Sequence, residues 1–300
     1  MSLKPYIEAI RPRTLFLALG CTFCGNALAL FADHFSIWVF ILTVLMALSL
    51  QVLSNLANDY GDFQHGTDTT GKRIGPVRTL QSGAMTPERM KQMMLINIAI
   101  TTALGVLLIL IALPLSRIFY MLFFLALGGV CIWASIKYTA GSNPYGYRGL
   151  GDLFAFIFFG LVAIVGTYFL HTQSVGFLPW LPAIGFGLPT AAVLNVNNMR
   201  DMENDQACGK ITIPIMIGFR WAKIYHAALT CGSLVCFVIF SILYLTHWYQ
   251  YLYLLVFVVY FKLLVNIFKI EDRKKLDPYL KFTAMTTFLL SVAFAVCINI

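Results

Sequence analysis

A chain of 300 residues in which 59% are hydrophobic and only 11% charged falls well short of the roughly 25% charge of ordinary soluble domains, which excludes a water-soluble globule. The net charge of +8 is split among short hydrophilic connections, so it does not form the single basic face that nucleic-acid binding requires. The composition is that of an all-α membrane protein.

Apolar runs of about 20 residues, each enough to cross a ~30 Å hydrocarbon core as a helix, occur nine times and leave no room for a separate soluble domain, so residues 1–300 read as one integral-membrane domain. The first, 14–32, follows Arg11-Pro12-Arg13, is long enough to span, and lacks a small-residue cleavage site, so it reads as a retained helix. It carries Cys21 and Cys24, a C-x-x-C that a lipid-embedded helix uses for packing, small soft residues suiting helix interfaces. The second run, 36–57, leads into Asn55-Leu-Ala-Asn58-Asp59-Tyr-Gly-Asp62. The longest connection follows, with turn signals at Gly66, Gly71, Gly75-Pro76 and Gly83. Runs three and four lie at 94–113 and 118–136, and the connection after them reads Asn143-Pro144-Tyr145-Gly-Tyr147-Arg148-Gly149-Leu150-Gly151-Asp152. Runs five and six, 153–170 and 177–196, lead into Asn197-Asn198-Met-Arg200-Asp201-Met-Glu203-Asn204-Asp205, then Gly209-Lys210. Runs at 222–246, 248–268 and 282–300 complete the chain.

With the N-terminus inside, 20 of the 21 basic residues fall on one side of the nine spans, Arg117 being the exception. Cytoplasmic loops carry the excess of Lys and Arg, so the N-terminus and the three long polar connections are expected in the cytoplasm, where the loops can cap one cavity.

Acids are scarce, and Asp59, Asp62, Asp68, Asp201, Glu203 and Asp205 account for six of the 13. Residues three or four apart share a helix face, which places Asn55, Asp59 and Asp62 together, and likewise Asn198, Asp201 and Asp205. Such oxygen patches suit hard divalent cations, and Mg²⁺ is usually held by one or two carboxylates plus substrate phosphates. Two facing patches would seat a metal-bridged diphosphate, with Arg78, Arg200 and Lys210 able to contact its oxygens.

The motifs N-x-x-N-D-x-x-D, with a further Asp68, and N-N-x-R-D-x-x-x-D resemble the paired Asp-rich motifs of the UbiA superfamily of intramembrane prenyltransferases. The Arg11-Pro12-Arg13-Thr14-Leu15 segment, the Gly75-Pro76-Val-Arg78-Thr-Leu-Gln81-Ser82-Gly83 loop and the 143–152 segment resemble the branch that prenylates 1,4-dihydroxy-2-naphthoate in menaquinone biosynthesis. The gap from Asp62 to Asp68 is longer than the 4-hydroxybenzoate branch usually shows.

The resemblance implies nine transmembrane helices around a central cavity, Mg²⁺ held by the Asp motifs, and transfer of a polyprenyl group from its diphosphate to an aromatic carbon with loss of CO₂. It implies metal ligation by Asn55, Asp59 and Asp62 and by Asn198, Asp201 and Asp205, supported by Asn58 and Asn197. Arg78, Arg200 and Lys210 become diphosphate ligands, and the faces of Tyr138, Tyr145 or Tyr147 steady the allylic cation. Arg148 joins the substrate-contact candidates. Asp68 has two readings, orienting or deprotonating the acceptor and organising the loop, and Lys72 and Arg73 also have two, the acceptor carboxylate and anionic lipid headgroups. His65 reads as a solvated loop histidine. A bacterial cell membrane is the expected location. A cation-coupled transporter is the rival class, disfavoured because the acids sit at helix ends on one side rather than on broken helices at the midplane.

Overall fold

A computed structural model describes residues 4–67, 74–75 and 77–300, with Arg13 described by its backbone alone. The architecture is all-helical. The nine longest helical segments among the described residues are α1 Leu15–Phe31, α2 Ile37–Gln64, α3 Pro87–Ala112, α4 Ile118–Lys137, α5 Gly151–Thr172, α6 Trp180–Ala207, α7 Phe219–Tyr244, α8 Trp248–Lys269 and α9 Asp277–Ile298. Their outer faces expose Leu95, Leu110, Phe119, Leu122, Phe123 and Ile242, as lipid-facing helices do.

Seven of these helices are long and apolar enough to cross a membrane, and α1 adds an eighth only when joined to Lys4–Ile10 across a 50° bend. The expected nine spans are therefore not all established. The physical reason lies in two helices: α1 has only 17 residues, and α6 carries Pro189 inside it and a run of Asn, Asp and Arg at its end.

The local signals explain where the helices start and stop. At the start of α3, Pro87 occupies the first turn, where its missing N–H costs nothing, and the Thr86 side chain accepts from the Arg89 N–H at 3.4 Å. That cap begins the helix seven residues ahead of the apolar run expected at 94. At the other extreme, α2 continues as helix to Gln64, past the expected end of its run at 57. The acidic cluster of α2 thus lies within the helix, as its three- and four-residue spacing requires.

Packing of the bundle depends on small residues at crossings, since lipid tails supply no hydrophobic drive between helices. A Cβ on Gly160 of α5, which lies in a π-helical stretch over Phe156–Val165, would sit 2.6 Å from the Ala183 carbonyl oxygen and 2.7 Å from the Gly187 Cα of α6. Next to this crossing, α1, α6, α7, α8 and α9 share a core in which Phe186 meets Phe237 edge-on at 5.0 Å and Phe294 meets Tyr253 at 5.1 Å. Cys21 and Cys24 are buried in this core as free thiols, as packing residues. On the other side, Leu53 and Leu56 of α2 pack with Met90 and Met94 of α3. Between the two halves lies a cavity of about 1070 Å³.

Candidate active site

The cavity has two chemically distinct ends. Its apolar wall includes Met46, Leu50, Phe124, Leu127, Phe158 and Phe159, and its polar end is lined by the terminal turns of α2 and α6. Asp59 and Asp62 face Asp201 and Asp205 across that end, all four at 7% exposure or less. The two clusters, about 140 residues apart in sequence, are one site.

Backbone close approach holds it together. A Cβ on Gly61, between the two α2 acids, would lie 2.5 Å from the Thr139 carbonyl group and 2.7 Å from the Ala140 nitrogen, so the 138–150 loop rests directly on α2. Thr139 donates to the Ala57 carbonyl and to Asn58 Oδ1, both at 3.0 Å. Tyr147, from the same loop, donates to Asp62 Oδ1 at 2.8 Å and shares a 2.6 Å hydrogen bond with Thr67. Asn204 of α6 donates to the Thr67 carbonyl at 3.1 Å, and across the two loops the Gly149 N–H donates to the Ile211 carbonyl at 2.8 Å while the Ile211 N–H donates to the Tyr147 carbonyl at 3.0 Å.

Most of the acids are matched by a cation. Arg78 pairs with Asp62 and donates to the Asn58 carbonyl at 2.7 Å. Arg200 holds Asp201 with a two-pronged contact of 2.8 and 2.7 Å, takes Asn197 at 3.0 Å, and reaches Asp277 at the start of α9 at 2.6 Å. Lys210 lies 3.4 Å from Asp205 Oδ1, a hydrogen bond, and 3.3 Å from Oδ2, an electrostatic contact, with its ammonium 5.6 Å from the Tyr147 ring. Burial opposes the charge on Lys210, but Asp205 and Asp62 outweigh it and hold the ammonium protonated well above the ordinary lysine range. Burial, with Asp62 beside it, pushes the Tyr147 phenol up, so it remains a donor.

Several expected site residues take other places. Asn198 is buried with its amide 3.4 Å from Asp152, not on the cavity wall, whereas Asn197 lines the cavity. Asn55 lines the cavity but donates to the Ile10 carbonyl at 2.7 Å and to Thr14 at 2.8 Å, tying the N-terminal segment to α2. Tyr138 and Tyr145 line the cavity; Tyr147 acts on Asp62 instead. Arg148 is exposed and off the cavity wall. His65 is not a free loop side chain: it hydrogen-bonds the Gly141 carbonyl at 3.0 Å with its ring 4.9 Å from that of Tyr147. Asp68, Lys72 and Arg73 lie outside the described residues.

Sequence reasoning missed Asp277, Asp152 and Asn204. Asn204 and Asp152 stood inside segments already singled out. Asp277 carried only the signal of an acid in a first helical turn, and its pairing with Arg200 spans 77 positions. Because the Asp277 side chain is 51% exposed, solvent screens the pair and it is worth about 0.2–1 kcal/mol. Asp277→Asn is therefore expected to shift the melting temperature only slightly, read by thermal unfolding in detergent.

A metal fits this site by its donor chemistry. Asp59 Oδ1 is buried without a hydrogen-bond partner, and the surrounding donors are carboxylate and amide oxygens, the ligands that hard divalent cations take. Among the described residues no three His, Cys, Asp or Glu side chains are grouped so as to hold a metal ion between them. Mg²⁺ needs none, since it keeps waters and takes substrate phosphates.

A helical integral membrane protein whose cavity joins acid–cation clusters to an apolar wall is built for a molecule with an anionic head and an oily tail. The chain belongs to the UbiA prenyltransferase family, whose model matches residues 18–298. It is 39% identical to the 1,4-dihydroxy-2-naphthoate octaprenyltransferase of Haemophilus influenzae, over 98% of this chain and 95% of that one. Its fold is similar to an apo UbiA homolog from Aeropyrum pernix K1 (TM-score 0.72, 17% identity, 94% and 97% of the two chains). It is also similar to a UbiA homolog from Archaeoglobus fulgidus bound to DMAPP and Mg²⁺ (TM-score 0.59, 16% identity, 97% and 99%).

Proposed function

We propose that this protein transfers a polyprenyl group from its diphosphate to 1,4-dihydroxy-2-naphthoate, a step of menaquinone biosynthesis. The observation that carries the reading is the cavity itself, in which facing acid–cation clusters end an apolar pocket walled by Tyr138 and Tyr145. The near full-length likeness to a naphthoate octaprenyltransferase supports that acceptor. In the reaction the allylic C–O bond breaks with its electron pair leaving on the diphosphate, an electron-rich ring carbon forms the new C–C bond, and the acceptor carboxylate leaves as CO₂.

Asp59, Asp62, Asp201 and Asp205 would hold Mg²⁺, with Asn58 and Asn197 beside them; Asn55, on the cavity wall, ties the N-terminal segment to α2, and Asn198 supports the end of α6 from behind. Bound there, the metal would neutralise charge growing on the departing diphosphate. Arg78, Arg200 and Lys210 receive the phosphate oxygens, an electrostatic stabilisation aimed at the leaving group. The faces of Tyr138 and Tyr145 lie where the allylic carbon becomes cation-like, contacts worth about 0.5–2 kcal/mol each, and Tyr147 orients Asp62. Asp68 is assigned to orienting or deprotonating the acceptor, and Lys72 and Arg73 to its carboxylate.

The whole chain, 1–300, acts as one catalytic domain. We assign α1 and α6 as crossings too, giving nine, because α6 is buried among its neighbours and most of its polar residues are buried or line the cavity. The membrane is the bacterial cell membrane, with the N-terminus and the site's loops on the cytoplasmic side, a placement supported by the one-sided distribution of basic residues. Family membership leaves the transporter reading without support.

The test is incubation of purified protein with octaprenyl diphosphate, Mg²⁺ and either 1,4-dihydroxy-2-naphthoate or 4-hydroxybenzoate, with an EDTA control and mass-spectrometric readout. A metal-dependent prenyl-naphthalene product lacking the carboxylate is expected. Product from 4-hydroxybenzoate alone would move the acceptor, and no product from either would remove the reading.

A further inference from the structure

The acids that line the cavity are almost all paired with a cation. Among the described residues its acids are Glu8, Asp59, Asp62, Asp201, Asp205 and Asp277. Five have a cation within 4.0 Å: Lys4 for Glu8, Arg78 for Asp62, Arg200 for both Asp201 and Asp277, and Lys210 for Asp205. Asp59 is the exception. At 1% exposure, its Oδ2 accepts only the Thr79 N–H at 3.2 Å, and its Oδ1 accepts nothing.

We propose that these internal pairs make metal and diphosphate binding mutually dependent, each strong only when the other is present, with Asp59 as the one acid open to the metal beforehand. The inference rests on the reading of the site given above and adds how its two ligands are coupled. A metal arriving alone at Asp205 must displace Lys210, leaving a buried cation without its ion-pair partner, and at Asp201 it must break the two-pronged contact of Arg200, leaving that guanidinium only the half-exposed Asp277 as an ion-pair partner; both are costly. A diphosphate arriving alone must pull the same cations off their carboxylates and leaves buried anions instead. When both arrive, the pairs exchange: phosphate oxygens take the guanidinium and ammonium donors in charge-assisted bonds, and the carboxylates turn to the metal. No buried charge is stranded. Linkage makes the coupling reciprocal, so the factor by which pyrophosphate tightens Mg²⁺ equals the factor by which Mg²⁺ tightens pyrophosphate.

The consequence that separates this arrangement from a simple cluster of ligands lies in the metal alone. Removing an internal cation should free its carboxylate for the metal before any phosphate binds. Isothermal titration of Mg²⁺ alone, of inorganic pyrophosphate alone, and of each in the presence of the other is the measurement, using the full chain in detergent. A protein-free titration supplies the correction for Mg²⁺–pyrophosphate association in buffer. The unmodified protein is expected to bind Mg²⁺ at least about tenfold more tightly with pyrophosphate present. Lys210→Gln is expected to bind Mg²⁺ alone at least about tenfold more tightly than the unmodified protein, while Lys210→Arg, which keeps the charge, does not. Arg78→Gln, freeing Asp62, gives the same readout should Lys210→Gln not fold.

Equal Mg²⁺ affinity with and without pyrophosphate, or unchanged Mg²⁺ affinity in both neutral variants, would overturn the coupling and leave the prenyltransferase reading intact. Failure of Mg²⁺ and pyrophosphate to bind even together would remove the metal–diphosphate site and the coupling with it.

Discussion

Asp59→Asn is expected to cut prenyl transfer by about a thousandfold, roughly 4 kcal/mol at 1.36 kcal/mol per tenfold, while the melting temperature holds or rises. The two halves of that result have separate causes. Activity falls because the exchanged oxygen is the buried, unpartnered Oδ1, the atom best placed to receive a metal. Stability holds because a buried carboxylate without a cation is unfavourable, and asparagine keeps an oxygen for the Thr79 N–H. Asp62→Asn makes the contrast. Asp62 is paired with Arg78 and receives the Tyr147 hydroxyl, so neutralising it removes the carboxylate from a buried ion pair, a loss of about 3–5 kcal/mol. Activity and melting temperature should both fall there. Turnover by mass spectrometry and thermal unfolding on the same preparations distinguish the two; a fall in stability for Asp59→Asn equal to that for Asp62→Asn would remove the distinction.

The second large effect concerns a residue without a side chain. Gly61→Val should destabilise the protein by about 1–3 kcal/mol, the usual cost of overpacking, and lower activity by a larger margin than that loss of folded protein explains. Its Cβ would meet the Thr139 and Ala140 backbone at 2.5–2.7 Å, and backbone cannot swing aside as a flexible side chain can. The 138–150 loop must therefore lift from α2, carrying Tyr138, Tyr145 and Tyr147 away from the acids. Gly176→Ala, in the loop before α6, is the control, because nothing lies within 4 Å of its Cβ and it is off the cavity wall. Full activity in Gly61→Val would show that the loop's seat on α2 does not matter.

Much of the site was legible because acids are rare in an oily chain, so a cluster of them at the end of an apolar run stands out. Helical spacing then correctly grouped Asn55, Asp59 and Asp62, since α2 remains helical through Gln64. The same spacing misled at Asn198: periodicity gives a face, but here that face meets Asp152 across a helix contact, and the cavity is lined by its neighbour Asn197. Arg148, attractive as a cation in a motif-rich loop, is exposed because the backbone pairing of that loop with Ile211 turns it outward.

Composition and pattern alone determined that the chain is a helical membrane protein, where its apolar runs fall, and that its oxygen-rich chemistry sits at two helix ends. Those properties are local: hydrophobic length is set by bilayer thickness and face-sharing by the helical repeat. Only the tertiary structure decided which cation neutralises which acid, that Asp59 alone among the described cavity acids is left without one, that Asp277 anchors Arg200 from α9, and that Gly61 lets a loop rest against the site. Each of these is a contact between segments far apart in the chain, fixed by how helices pack, and no periodicity within a single segment encodes it.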